Sequence, residues 1–184
     1  MTDHDELARK FNNASNLDQA ATHFALAAFE LMVTKKFEDT KTLSLGAAEL
    51  LRAISCDVRV NNTGRATHLF DFAKVLCERV RADTDDEILE GLSYEWVGDG
   101  YLMLGDQRAI ECYEVAAEKL ADVPPGHGWG GEEEFDYALW AFQDYIEARG
   151  YELTKDPYEK EPSIDFQNRI KEKMAITDML LNVR

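Results

Sequence analysis

The chain has 184 residues, of which 45% are hydrophobic, so it can bury a core, and we expect a single domain over residues 1–184. Its 36 acidic and 20 basic residues give a net charge of −16, which argues against nucleic acid or an anionic membrane surface as a partner. This acidity is typical either of a solubilising surface adapted to a high-salt, halophilic cytoplasm or of a face that attracts basic ligands.

Three further features predict a cytoplasmic protein. Cys56, Cys77 and Cys112 are widely spaced and odd in number, which favours free thiols in a reducing compartment over disulfides. The acidic N-terminal stretch MTDHDELARKF does not resemble a signal peptide. No run approaches the roughly 18 apolar residues that a membrane-spanning helix needs, so we expect no membrane segment.

Apolar residues recur at helical spacing through nearly the whole chain, and the only strand-like alternation is CDVRV at 56–60. The four prolines fall between the periodic segments, where they would interrupt no helix. The pattern therefore predicts an all-α protein, with its weakest boundary at residues 36–39. The eight predicted helices cover residues 3–13, 16–35, 39–56, 63–82, 85–104, 107–121, 132–149 and 163–182.

Local signals mark two of the helix boundaries. The stretch TDDE at 84–87 predicts a capping box, in which the Thr84 hydroxyl accepts a hydrogen bond from the amide of Glu87. Gly105 is expected to end the fifth helix, and Asp106 is a predicted N-cap of the sixth.

A small–aromatic–small pattern recurs three times along the chain. Alanines one or two turns apart let a neighbouring helix approach closely, and the aromatic side chain between them fills the groove. The copies begin 46 and 43 residues apart, which predicts a repeated helical hairpin, whereas an ordinary helical bundle is the alternative. The three copies are Ala20-Phe24-Ala27, Ala66-Phe70-Ala73 and Ala109-Tyr113-Ala116.

The third copy resembles the tetratricopeptide repeat (TPR) over about thirty residues. Trp96, Gly98, Tyr101 and Gly105 precede its Ala-aromatic-Ala helix, and Pro124 follows it, as in that family. The turn after Gly105 is one residue short, and the spacing of the copies exceeds the family's period of about 34 residues. The resemblance implies a short right-handed superhelix of four hairpins, at 3–35, 39–82, 85–121 and 132–182.

In TPR proteins the first helix of each hairpin lines a concave groove. Family members that hold a peptide's terminal carboxylate use Lys and Asn at the positions that Glu95 and Asp99 occupy here. Because these two residues reverse the charge, we expect the groove to attract lysine, arginine or a free amine, unless they are only solvated surface. The groove positions that the resemblance implies are Leu92, Glu95, Asp99, Leu102 and Met103.

A second candidate surface is rich in aromatic residues. It covers residues 129–158 and begins with Trp129. Tyr137 and Trp140 lie on a different side of the predicted helix at 132–149 from its core-facing stripe, so this helix is apolar on more than one side. Either other helices sandwich it, or it exposes an aromatic and acidic patch to a cationic partner.

Signals for catalysis are weak. The chain lacks the common catalytic, phosphate-binding and zinc-binding motifs, and the stretch GHGWGG at 126–131 follows no strand and contains no lysine. His127 precedes three glutamates, but consecutive residues at a helix start point in different directions, which disfavours a metal site. We therefore predict no catalytic, cofactor-binding or metal-binding residues.

These observations favour a non-enzymatic scaffold or adaptor that binds a protein or peptide with a basic segment in a concave acidic groove. One alternative is a small helical enzyme or ligand-binding protein with a pocket near the 123–131 loop. Another is a self-associating subunit that uses the nearly neutral last helix as a homo-oligomer contact. The sequence does not distinguish the partner or the process.

Overall fold

The computed structural model describes residues 3–35, 39–123, 133–153 and 166–182, and within these ranges it is all-α, without strands. The strand-like stretch at 56–60 belongs mostly to a helix. None of the helices in the described ranges is both long and apolar enough to cross a membrane. The helices are α1 (Asp3–Asn13), α2 (Leu17–Lys35), α3 (Thr40–Arg59), α4 (Thr63–Asp83), α5 (Glu87–Met103), α6 (Arg108–Lys119), α7 (Glu133–Glu147) and α8 (Phe166–Asn182).

The predicted end of α5 is confirmed, its predicted start differs in detail, and the N-cap of α6 is Gln107 rather than Asp106. Gly105 has a φ of +75°, and the amide of Asp106 donates to the carbonyl oxygen of Tyr101, so α5 ends in the left-handed turn that glycine favours. The start of α5 is capped by Asp86, whose carboxylate accepts from the amide of Ile88 at 2.9 Å. The Thr84 hydroxyl instead accepts from the amide of Asp86, because the helix begins later than the capping box predicts.

Consecutive helices pack on one another from α1 to α6, and α3 lies at the centre. It contacts α2, α4, α5 and α7, and 16 of its 20 residues are buried. A helix enclosed on this many sides cannot keep a polar face in water. The buried residues of α3 accordingly include Glu49, Arg52 and Asp57, which need partners within the protein.

Ion pairs connect α3 with the helices around it. Arg52 Nη1 lies 2.9 Å from Asp5 Oδ1 on α1. Asp57, which is fully buried, accepts from Arg65 on α4 at 2.8 and 2.9 Å. Buried charge on the central helix therefore contributes to the positions of its neighbours.

The last two helices pack on the preceding ones in an order that differs from serial stacking. A fourth hairpin stacked on the third would place α7 beside α6, whereas α7 packs chiefly on α3 and also contacts α5. The following helix, α8, packs on α6. The nine residues of the small–aromatic–small pattern are all buried on α2, α4 and α6, as both a repeated hairpin and a bundle core require.

Two glycines of α5 allow close helix contacts. A Cβ atom at Gly98 would lie 2.7 Å from Tyr113 Cε1, and one at Gly100 would lie 2.2 Å from Phe70 Cε2. Both aromatic rings are buried members of the repeated pattern. Gly100, which the TPR pattern does not require, is therefore explained by the packing of α4 against α5.

We expect Gly100→Ala to lower the free energy of unfolding by about 1–3 kcal/mol, because the added methyl group overlaps the Phe70 ring. Gly64→Ala on α4 is the matched control, since a Cβ there has nothing within 4 Å. We expect this control to be neutral or to stabilise by up to about 1 kcal/mol through helix propensity. Urea unfolding of both variants measures the difference, and equal effects would contradict the packing explanation.

Candidate functional site

The five residues predicted to line the groove all lie on α5 and are buried. Glu95 is 2% exposed and Asp99 is fully buried, so neither is solvated surface. Leu92, Leu102 and Met103 belong to the hydrophobic core. The structure thus brings the predicted positions together, but beneath other helices of the same chain.

Two basic residues of α8 bind the two carboxylates. Arg169 Nε donates to Glu95 Oε1 at 2.9 Å, and a second bond joins Arg169 Nη2 to Glu95 Oε2. Lys173 Nζ donates to both oxygens of Asp99, at 2.8 and 2.7 Å, and lies 2.8 Å from Glu95 Oε1. The Tyr113 hydroxyl donates to Asp99 at 2.8 Å. The basic groups that bind Glu95 and Asp99 here therefore belong to the same chain, and the attraction expected for a partner stays a prediction.

The electrostatics of this cluster follow from its burial. Burial disfavours the charged form of Glu95, but Arg169 and Lys173 outweigh it and lower the pKa of this carboxyl to about 2. Burial raises the pKa of Asp99 to about 6, against the attraction of Lys173. Both groups are therefore ionised at neutral pH, where two carboxylates balance two cations.

A second cluster of charged residues lies where α7 crosses α1 and α3. Asp5 accepts from Arg9 Nε and Nη2, both at 3.0 Å, and from Arg52 at 2.9 Å. Tyr137, a predicted partner-binding residue, is buried here, and its hydroxyl accepts from Arg9. The guanidinium of Arg9 lies 4.8 Å from the centre of the Tyr137 ring.

Trp140, the neighbouring predicted residue, is half-buried and forms part of a cavity beside this cluster. The third predicted aromatic residue of this surface, Trp129, lies outside the described residues. The cavity has a volume of about 280 Å³ and lies among α1, α2, α3 and α7. Its lining residues are Arg9, Asn12, Asn13, Phe24, Arg52, Trp140, Ala141 and Asp144.

The buried carboxyl of Glu49, which contacts Arg52, has a strongly raised pKa. Burial raises the pKa of this carboxyl to about 8, and the nearby Asp5 adds to the shift, against the attraction of Arg52 and Arg9. Glu49 is therefore mostly neutral at pH 7, although Arg52 Nη1 lies 3.2 Å from its Oε2. By contrast Arg9 and Arg52 overcome the burial of Asp5 and hold its pKa below the usual value.

Sequence reasoning singled out Tyr137 and Trp140 but missed the charged members of this second cluster, which are far apart along the chain. Arg9 and Arg52 match no local motif, and only the packing of α7 brings them beside Trp140. The same holds for His4 and His23, which are 19 residues apart in the sequence and whose Nδ1 atoms lie 3.0 Å from each other. No group of three or more potential metal ligands occurs among the described residues.

The three cysteines are free thiols in the structure. Cys56 and Cys77 are buried, and burial raises the pKa of each thiol to about 12. Cys112 is half-buried, and its pKa is raised by the same cause. A thiol must ionise to act as a nucleophile, so none of the three is activated at neutral pH.

We expect Lys173→Met to lower the free energy of unfolding by about 3–5 kcal/mol, because it leaves Asp99 buried without its cation. Lys171→Met is the matched control, since Lys171 lies exposed on the same helix, and its effect should stay within about 0.5 kcal/mol. Denaturant unfolding measures both. Similar values for the two variants would show that the buried pair does not hold α8.

We expect the free energy of unfolding of Glu49→Gln, measured relative to that of the natural chain, to increase as the pH rises from 5 to 8. In this range folded Glu49 keeps a proton that the unfolded chain releases, so its contribution to stability falls by about 1.4 kcal/mol per pH unit. Urea unfolding at several pH values measures the difference. Glu118→Gln, at an exposed site on α6, should give a difference that does not change with pH.

No family model matches the chain, and no curated protein or solved structure matches it. The likeness to the tetratricopeptide repeat therefore rests on the residues of α5 and α6 that carry it.

Proposed function

We propose that the chain is a non-enzymatic scaffold of the tetratricopeptide type, which binds a partner protein through a basic helical segment. Its groove would be lined by α1, α3 and α5, the first helices of three hairpins. The single observation that carries the proposal is the binding of two basic side chains of one helix by Glu95 and Asp99. These are the two positions where the resemblance places the peptide-binding contacts of the family.

The contacts of α7 and α8 support this proposal. Tyr137 and Asp144 on α7 bind Arg9 and Asn12 of α1, and Tyr145 donates to the carbonyl oxygen of Leu102 on α5. α7 thus covers part of the surface that the repeat would leave open, and α8, which packs on α6, reaches this surface with Arg169 and Lys173. We propose that they occupy the groove in the free protein and that a partner helix replaces α8.

The geometry of α8 supports a partner segment of a particular kind. Arg169 and Lys173 are four residues apart, so they lie on one side of the helix, and Ile170 beside them is fully buried. A competing helix would need two basic residues at this spacing and an apolar residue next to the first. Such a segment would replace both the ion pairs and the apolar contact.

A labelled synthetic peptide with the sequence of residues 166–182 tests the proposal with the full-length chain. Ile170→Ala removes buried atoms from α8 and leaves Glu95 and Asp99 intact. We expect this variant to bind the peptide at least about tenfold more tightly than the natural chain, because its own α8 competes less well. Fluorescence polarisation measures the affinities.

Two controls accompany this measurement. Met179→Ala, at an exposed site of α8, should bind the peptide like the natural chain. A peptide with glutamate in place of Arg169 and Lys173 should not bind to any variant. Equal binding of this charge-reversed peptide would refute the proposed recognition.

A measurement on the natural chain covers the case in which Ile170→Ala does not fold. If α8 leaves the groove, its amide hydrogens should exchange faster than those of α3, which is enclosed on several sides. Equal protection of the two helices would mean that α8 separates only when the whole protein unfolds.

A further inference from the structure

The cavity among α1, α2, α3 and α7 has an arginine as part of its wall. Arg52 is 7% exposed, and its guanidinium lies 3.9 Å from the centre of the Phe24 ring and 4.6 Å from that of Tyr137. Aromatic contacts of this kind restrict the orientation of the planar group. Arg52 is thus held in place before any ligand arrives.

One edge of this guanidinium is not used by the protein. Arg52 makes its hydrogen bonds to Asp5 and Glu49 through Nη1, and Nε and Nη2 have no partner among the described residues. Neither nitrogen is fully enclosed by the described part of the chain. Since Arg52 lines the cavity, we take this edge to face it. Paired N–H groups on one edge fit the two oxygens of a carboxylate.

The charges around the cavity also favour an anion. Arg9 and Arg52 carry two positive charges, Asp5 offsets one of them, and Glu49 is mostly neutral because burial raises its pKa to about 8. Asp144 at the cavity works against an anion, but Arg59 lies 3.2 Å from it and balances its charge. One positive charge remains, in a chain whose net charge is −16.

The size and the walls limit the ligand further. A volume of about 280 Å³ corresponds to about nine water molecules, or to a ligand of roughly ten non-hydrogen atoms. Phe24, Ala141 and Trp140 supply apolar surface, and the amide side chains of Asn12 and Asn13 lie at the α1 side. This combination of apolar walls with a few fixed polar groups is common in ligand sites.

We propose that this cavity binds a small aromatic carboxylate, whose oxygens pair with the Nε and Nη2 edge of Arg52 and whose ring packs against Trp140. The site is separate from the groove of α5, and its occupant does not depend on the partner proposed above. A ligand here would contact α1, α3 and α7 together. It would therefore stabilise the position of α7.

Isothermal titration calorimetry of the full-length chain with phenylacetate tests the proposal. We expect a dissociation constant on the order of 1 mM or below. Phenylacetamide, which has the same shape without the charge, should bind at least about tenfold more weakly. Equal binding of the two compounds, or no heat from either, would overturn the proposal. Tighter binding of phenyl phosphate than of phenylacetate would overturn the assignment to a carboxylate.

Variants locate the binding site. Arg52→Met should weaken phenylacetate binding at least about tenfold, whereas Arg81→Met should not change it. Arg81 is the control because it is a half-buried arginine outside the cavity that, like Arg52, lies over an aromatic ring, 4.4 Å from the centre of that of Tyr94. Trp140→Leu should weaken binding without removing a charge. Unchanged affinity in both cavity variants would place the ligand elsewhere.

A spectroscopic measurement on the natural chain covers the case in which Arg52→Met does not fold. The Nε–H resonance of Arg52 should shift on addition of phenylacetate and stay in place with phenylacetamide. A shift confined to other arginines would contradict the role of Arg52.

The affinity should also depend on pH. The charged groups that face Glu49 are Asp5 and Arg9 on α1 and Arg52 on α3 itself. Ionisation of Glu49 near its pKa of about 8 adds a negative charge beside Arg52, so phenylacetate should bind less tightly at pH 9 than at pH 7. Glu49→Gln should remove most of this difference. The same pH dependence in that variant would show that another group is responsible.

Discussion

The structure depends on the balance of buried charge on its two central helices, α3 and α5. An ionised carboxylate taken out of water is costly unless a cation and hydrogen bonds replace its hydration. Glu95 and Asp99 obtain these from α8, and Asp57 obtains them from Arg65 on α4. Each buried charge therefore constrains the helix that supplies its partner.

The two charged clusters differ in a way that bears on function. Around Asp99 the charges balance, every carboxylate oxygen has a donor, and the side chain of Lys173 is 1% exposed. Around Arg52 the carboxylates leave one edge of the guanidinium unused beside a cavity. A closed, neutral cluster holds a helix in place, whereas an open cluster with excess charge can take a ligand.

The packing of α7 and α8 relates both clusters to the proposed scaffold. α7 supplies Trp140 to the cavity and Tyr145 to α5, and α8 supplies the cations that bind Glu95 and Asp99. Lys173 also lies 4.3 Å from the centre of the Phe142 ring on α7, which links the two covering helices. Release of α8 would therefore alter one face of α7. The cavity lies elsewhere on this helix, where α7 packs against α1 and α3.

The sequence by itself determined the eight helices and the burial of the aromatic residues between alanines, because helical periodicity and local turn chemistry are properties of neighbouring residues. It also indicated that Glu95 and Asp99 attract basic side chains, since their charge and spacing on α5 are local. Only the tertiary structure decided that these side chains come from α8, 74 residues away, and that Arg52 meets Asp5 across 47 residues. Contacts over such separations depend on the three-dimensional order of the helices, which no short stretch of sequence encodes.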